Sequence, residues 1–437
     1  MPGRTSEDHF NVDYKRGKLE AKVVRMPYGR GFINLKIPAR NLQEIHIPKE
    51  PRLADEEKEI KAALRNPIKK PPLYSLINSR DKVAIVVDDI TRPTPSYKII
   101  PAILNELPVP NKNIRIIVAT GLHRKNTEDE LEVMLGRGVL NKVRVVNHDA
   151  FNKEGLVYVG KTSRGTELEI NKLVMDADRI ITTGHIEPHE FAGFTGGRKS
   201  ILPGVAGANS ITHNHRLENL DHPRAKIGIL EGNPIHEDMI EAAKMVDVDF
   251  IVNVVVNNRK EIIKVVAGDF VEAHAEGVDF YKKHYQVKVD EPADIVIVSS
   301  GYPWDVDFYQ SIKLMVSAEP FVKEGGIIIL LAECEAGFGT DLFYEYMSSF
   351  STPSDIIDRI KKEGYRADLD HCYLLARILE KSDIIVVSPK RSIHMIKKSL
   401  IKTTPSPHEA ITTALNKKGK DATVLALPYA HRLIPKY

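Results

Sequence analysis

Continuous apolar runs, each followed by a loop and then a helix-like segment, constrain this chain more than any other feature. Val83–Val87 contains no polar residue, and Ile114–Ala119 is broken only by Arg115. A strand without polar alternation has both faces covered, as in a parallel sheet with helices on each side. Shorter and more mixed runs at Lys142–Val146 and Arg179–Thr183 continue the series. Helical patterns at Tyr97–Leu104 and Thr127–Leu135 lie between these strands. Such alternation predicts an α/β fold with a mostly parallel sheet. A β-rich patch follows, Phe250–Val256 and Glu261–Val266, turning at Asn257-Asn258. A helix over Asp269–Tyr285 then reads as a connector.

A second α/β block begins near Ile295. Its predicted strands are Ile295–Ser299, Gly326–Leu331, Asp383–Val387 and Ala422–Leu427. Its predicted helices are Phe308–Val322, Asp355–Glu363, Cys372–Glu380, Ile393–Leu400 and Pro407–Leu415. Two α/β domains are therefore expected, residues 1–285 and 286–437, with the active site in the cleft between them. Residues 19–48 partly alternate and carry turn signals, so they read as a small β unit on the N-terminal domain. Pro51–Lys70 reads as a helix leading into the first strand.

Composition narrows the function classes. The chain has 437 residues, 42% hydrophobic and 28% charged, with a formal net charge of +3. That balance argues against general nucleic-acid or membrane-surface binding. Basic clusters such as Lys397–Lys398 and Lys417–Lys420 read as solvated surface. The two cysteines, Cys334 and Cys372, are too few for a disulfide scaffold or a cysteine-rich zinc cluster. The N-terminal stretch has no apolar core of the secretory kind, and the longest apolar run, Ile327–Ala332, is too short to span a bilayer. A soluble cytoplasmic enzyme is the expectation.

Open α/β sheets carry their sites beyond the C-terminal ends of their strands, so the loops there deserve the closest reading. Directly after Val83–Val87 come Asp88, Asp89, Thr91 and Arg92, stiffened by Pro93 and Pro95. An arginine fork there suits a carboxylate or phosphate; the plainer reading is a helix cap with an ion pair. After Ile114–Ala119 comes Thr120-Gly121-Leu122-His123-Arg124. His123 is placed for acid–base work near neutral pH, or it simply caps the loop. At the start of the second block, Tyr309, Gln310 and Lys313 follow Trp304 on a predicted helix, where Gln310 and Lys313 share a face. They could clamp an anion opposite Arg92, or be ordinary surface residues.

The densest loop is GHIEPHEFAGFTGGRKSILPGVAG, residues 184–207, with His213 and His215 just beyond. It nearly matches the phosphate loop G-x-x-x-x-G-K-[ST], but Arg198 stands where the second glycine is required. The turn at Gly196 and Gly197 can still offer backbone N–H groups to a phosphate. His185 and His189 have the spacing of a zinc-protease helix, yet Ile186 replaces the required glutamate and Pro188 opposes a helix. His213 and His215 cannot share a helical face.

Taken together, DDITRP, GLHR, the long GH…PH…AGFTGG.K..LPG.AG stretch with its downstream histidine, and YQSIK resemble the nickel-dependent lactate racemase family. The motifs occur in the family's order over most of the chain. Lys199 lies ten residues after His189 (199−189) and sixteen before His215 (215−199), as in that family. The resemblance implies a racemase or epimerase of a small-molecule 2-hydroxy acid. It implies a nickel pincer nucleotide, a pyridinium mononucleotide holding Ni through S, C and S and bound covalently to Lys199. His215 would supply the protein ligand to nickel. His123 and His189 would be the two acid–base groups on opposite faces of the substrate. Arg92 and Lys313 would hold the carboxylate, with Tyr309 and Gln310 alongside. Asp89, Thr91, Gly196 and Gly197 would help seat the cofactor. His185 and His213 would be loop or supporting residues. Further implied partners are the cofactor-synthesising enzymes, and a homodimer is allowed for.

The implied chemistry makes sense of these residue types. A proton on Cα beside a hydroxyl and an ionised carboxylate is barely acidic. Hydride loss to the cofactor, with a base taking the hydroxyl proton, yields a planar 2-keto acid instead. Return of the hydride to the other face inverts the centre, so each enantiomer needs its own base. The sequence departs from lactate-type members near the later C-terminal helix, where Cys372 or Tyr373 occupies the region of a family tryptophan. That departure bears on the substrate side chain. Two other readings stand beside this one: a metal-dependent lyase or isomerase of another class, and a catalytically silent organic-anion-binding protein.

Overall fold

The computed structural model describes residues 21–43, 45, 50–289, 291–364, 366 and 369–436. Two six-stranded sheets dominate it. The first runs, edge to edge, Ile262–Gly268, Phe250–Val256, Arg179–His185, Val83–Asp88, Ile114–Ala119 and Arg144–Asn147. Every neighbouring pair is parallel except Phe250–Val256 with Ile262–Gly268. The apolar run at its centre serves two cores at once. Val83, Ile85 and Val87 pack with Ile60, Leu64, Ile99, Ile100 and Ile103 of the helices Glu56–Arg65 and Ser96–Glu106. Ala84 and Val86 face the opposite way, into the core that also holds Ile201, Leu202, Met239 and Ala243. Burial on both faces explains the lack of alternation.

The second sheet is wholly parallel, in the order Lys402–Thr404, Asp383–Val387, Val322–Leu331, Ala293–Ser299, Val424–Pro428 and Leu42–Gln43. Each sheet has one point where the chain stops adding strands on one side and returns to the other. In the first sheet it lies between Val83–Asp88 and Arg179–His185; in the second, between Ala293–Ser299 and Val424–Pro428. Loops diverge at such points and leave a crevice.

Three sequence expectations need correction. The N-terminal β unit is the hairpin Ala21–Tyr28/Gly31–Pro38, and it packs on the second sheet, not the first. Met26, Leu35 and Ile37 are buried against Ile295, Ile329 and Val424. The first sheet's faces are already covered, whereas this face of the second sheet offers apolar area. Residues 19, 20, 44 and 46–48 of that unit lie outside the described residues. The helix expected over Pro51–Lys70 is only Glu56–Arg65, started by the Asp55 cap and ended at Asn66, before Pro67. The supposed connector is Glu272–Tyr285, whose Ala273, His274, Val278 and Tyr281 are buried, so it is a layer of the fold.

The helix Pro234–Val246 escaped the sequence reading, though its signal is plain afterwards. Asn233 caps it, accepting from the Ile235 and His236 N–H groups, and Pro234 opens it. The Asn233 amide also donates to the Phe191 carbonyl at 2.8 Å and the Ile229 carbonyl at 3.0 Å. One fully buried side chain thus ties a helix start to the densest loop. Asn233→Ala is expected to cost about 2–4 kcal/mol, a lost cap plus stranded carbonyls. Urea unfolding measures this, and a loss below about 0.5 kcal/mol would contradict the assignment.

Candidate active site

Both crevices open onto one cavity. From the first half it is lined by Asp88, Asp89, Arg92, His123, His185, His189, Lys199 and His215. From the second come Trp304, Tyr309, Gln310, Lys313, Asp370, His371 and His431. The strand ends put them there: Asp88 closes one strand, His185 another, and Trp304 and His431 follow the two strands at the second switch point.

Asp89 organises the first loop. Its Oδ2 lies 2.6 Å from His123 Nδ1, and its Oδ1 accepts from the Thr91 N–H at 2.9 Å and from the Thr91 hydroxyl. Burial works to raise the Asp89 carboxyl, but the His123 bond and the Arg92 charge outweigh it and hold it down to about 2. A carboxylate on Nδ1 fixes the tautomer that leaves His123 Nε2 as the proton acceptor. His123 lines the cavity and its side chain is about half exposed. Thr91 supports Asp89 and is not itself on the wall.

The glycine-rich loop is built around Arg198. Its guanidinium is fully buried and meets no carboxylate among the described residues. It donates instead to the carbonyls of Ala192, Phe194, Thr195 and Gly196, at 2.8 to 3.3 Å, and lies 3.0 Å from His274 Nε2. Burial pulls Arg198 down to about 9 and His274 to about 3. The residue that spoils the phosphate-loop match is therefore the loop's internal scaffold. Gly196 lines the cavity at φ +81°, and a Cβ there would lie 2.9 Å from Asn253 Oδ1. Gly197 stands behind the wall, its N–H given to Asn253 Oδ1 at 2.7 Å. That group is not on offer to a phosphate.

Next to this buried cation, the Lys199 amine is pushed toward its neutral form. Burial, then the charges of Arg198 and Arg92, hold its amine well below the usual lysine value. Its Nζ sits 3.3 Å from His189 Nε2. His189 is also held well below its ordinary value, by burial and then by Lys199, Arg92 and Lys313. His215 is neutral too, pulled to about 4 chiefly by burial. Its Nδ1 lies 3.0 Å from the Ile211 carbonyl, which favours a proton there and leaves Nε2 as a donor of electrons. Phe191 separates the two rings, edge-on to both. His185 behaves oppositely. Burial would lower it, but Glu187 and Asp88 raise it to about 9, and Thr94 adds a 2.9 Å contact. His213 is remote, held by Thr166 and Arg216.

On the far wall, Lys313 Nζ lies 5.5 Å over the Trp304 ring, which stacks on His431 at 4.7 Å. Tyr309 stacks on His371 at 4.2 Å. Asp370, His371 and His431 were missed in the sequence: the first two lie on a helix and not in a strand-end loop, and His431, though it follows the predicted strand Ala422–Leu427, belongs to none of the four loops singled out. Cys372 and Tyr373 are buried and off the wall; Asp370 and His371 take that place. Among the described residues, no three His, Cys, Asp or Glu side chains are arranged to hold a metal ion alone. A metal here would need donors from a bound group.

Family models describe the same two halves. The lactate racemase N-terminal domain matches residues 28–228, and the lactate racemase C-terminal domain matches residues 288–434. This chain belongs to the lactate racemase family. The lactate racemase of Thermoanaerobacterium thermosaccharolyticum is 37% identical over 414 residues, covering 93% of this chain and 97% of that protein. The lactate racemase of Lactiplantibacillus plantarum is 35% identical over 378 residues, covering 85% and 89%. The apoprotein structure of the former superposes with a TM-score of 0.90 at 35% identity, over 95% of this chain and all of that one. A Thermotoga maritima protein shares the fold at 18% identity, with a TM-score of 0.64 over 90% of this chain and all of that one. The family makes the chain an isomerase, a racemase. No helix among the described residues is long and apolar enough to cross a membrane.

The neutral state of Lys199 has a measurable sign. Its folded pKa lies below its unfolded value, so between the two the unfolded chain binds the extra proton, and this residue's contribution to stability rises with pH. Lys199→Met removes that cost. It is expected to raise the melting temperature at pH 7, with the gain shrinking as the pH nears 10.5. Equal melting temperatures at pH 7 would show that the amine is not held neutral.

Proposed function

We propose that the chain inverts Cα of a 2-hydroxy acid through a 2-keto acid intermediate, with a nickel pincer nucleotide joined to Lys199. The carrying observation is the pairing of two unlike imidazoles, His123 and His189, with a neutral lysine amine on one cavity. The donor set fits the group. A neutral amine can form the covalent link, which a charged lysine cannot. His215, with Nδ1 tethered to a carbonyl, presents Nε2 as a nickel ligand. When bound, the cofactor supplies the acceptor and donor of a hydride.

The protein's own residues do the rest. Arg92 and Lys313 grip the substrate carboxylate, with Tyr309 and Gln310 alongside, and keep the planar keto acid from leaving. His123, its ring steadied by Asp89, takes the hydroxyl proton of one enantiomer at Nε2. His189, kept neutral chiefly by burial, takes that of the other. For inversion the keto oxygen takes its proton from the imidazole it then faces, which has gained that proton from solvent beforehand, and the proton held by the first imidazole passes to solvent before the next turnover. Asp89 and Gly196, which line the cavity, would border the cofactor, while Thr91 and Gly197 would act one layer back by fixing Asp89 and the turn. The same reading divides the chain at 285/286 into two functional halves, with the hairpin serving the second. It makes the protein cytoplasmic, served by the cofactor-synthesising enzymes, allowing a homodimer and involving neither nucleic acid nor membrane.

Coexpression with the cofactor-making enzymes is expected to add the mass of the nucleotide to Lys199 and to load nickel. With Cα-deuterated substrate, the label should stay on Cα through inversion; washout into solvent would mean proton abstraction instead. His123→Ala and His189→Ala should each lower kcat by about 10²–10⁴-fold. Asp89→Asn should shift the pH–rate profile as well as the rate, because it loosens the His123 tautomer. Full activity in either alanine variant would rule out the two-base scheme.

A further inference from the structure

One stretch of the cavity wall takes no part in the scheme above. The helix Leu369–Lys381 presents Asp370 and His371 to the cavity. His371 Nδ1 is 3.1 Å from Asp370 Oδ1, and the ring lies against Tyr309 at an angle of 38°. Those two contacts fix the plane of the ring. The other nitrogen, Nε2, is buried and has no hydrogen-bond partner among the described residues. The side chain is only 9% exposed. An unmatched buried polar atom costs about 1–3 kcal/mol, and on a cavity wall a ligand can supply the missing partner.

Its position relative to the carboxylate grip suggests which part of the ligand it meets. Tyr309 and Lys313 lie four residues apart on the helix Phe308–Ala318, about 6 Å along its axis. His371 stacks on Tyr309, so it stands about one turn from Lys313. That separation suits a group two or three bonds beyond a carboxylate held at Lys313.

We propose that His371 binds a second hydroxyl, on the carbon next to Cα, so that the substrate belongs to the 2,3-dihydroxy or sugar-acid class. This inference rests on the racemase reading above. A hydroxyl both donates and accepts, so it satisfies Nε2 in either ring tautomer. A methyl group would leave the nitrogen unmatched. A second carboxylate fits worse, because Asp370 stands behind the ring. Burial alone would raise the Asp370 carboxyl, but His371 beside it holds it down to about 2, so it is an anion.

The test uses cofactor-loaded enzyme with 2,3-dihydroxypropanoate, lactate and malate, and takes kcat/KM for each. The dihydroxy acid is expected to exceed lactate by at least about tenfold, because a site built to bond a hydroxyl rejects the analogue lacking it. Malate should be poorest. His371→Phe, which keeps a ring on Tyr309, should bring the ratio of the two monocarboxylic acids toward one, mainly through KM for the dihydroxy acid. His371→Gln, with an amide near the Nε2 position, should restore part of it. Lactate equal to or better than the dihydroxy acid in the wild type would overturn the proposal and leave the racemase reading standing. A ratio unchanged in His371→Phe would overturn it too, as would His371→Phe and His371→Gln losing both acids in parallel. If the loaded enzyme inverts none of the three acids and no longer 2-hydroxy acid, the racemase reading falls and this inference with it.

Discussion

A guanidinium with no counter-charge among the described residues, Arg198, is the point on which the site turns. It gathers four carbonyls of one loop into a single knot, and that knot sets the course of the chain from Ala192 to Lys199. The same charge lies beside Lys199 and helps to keep its amine neutral. Scaffold and activation are one interaction here. A lysine at position 198 could not do the same, since three donors on one nitrogen cannot reach carbonyls spread around a planar fork.

The cavity separates its ionisable groups by partner, not by type. His185 is an imidazolium between two carboxylates, whereas His189, four residues later, and His215, thirty residues later, are kept neutral first of all by burial. The cavity wall thus carries one positive histidine held by Asp88 and Glu187 and two uncharged ones, His189 and His215. Neutral imidazoles are what both proton uptake and metal ligation require.

Much of this was legible in the sequence because local rules and tertiary structure agree there. Strands buried on both faces announced themselves as unbroken apolar runs, and the loops after them carried His123, His189, Lys199 and Lys313 to the cavity. The hairpin's partner was not legible, because an alternating strand states only that one face is covered and not by what. Asp370 and His371 come from a helix whose burial pattern looks ordinary, and their arrival at the cavity depends on how the second sheet's helices pack; His431 follows a strand end but carries no motif around it. Arg198 was visible only as a mismatch. No sequence rule assigns a buried arginine to carbonyls, since the partners are backbone atoms that every residue possesses.

The hairpin carries a consequence for how the molecule assembles. Its turn holds the loop around Trp304: the Gly29 N–H donates to Asp305 Oδ2 at 2.7 Å, and the Tyr302 N–H donates to the Gly29 carbonyl at 2.8 Å. The strand Leu42–Gln43 that follows it pairs with Val424–Pro428, partners lying 382 positions apart (424−42). During synthesis these residues emerge early and must wait for nearly the whole chain before their partner exists. Closure of the far wall is therefore a late, long-range event in folding. The half that holds Lys199 can finish its own sheet first, and the wall that carries Trp304 and His431 comes to it last.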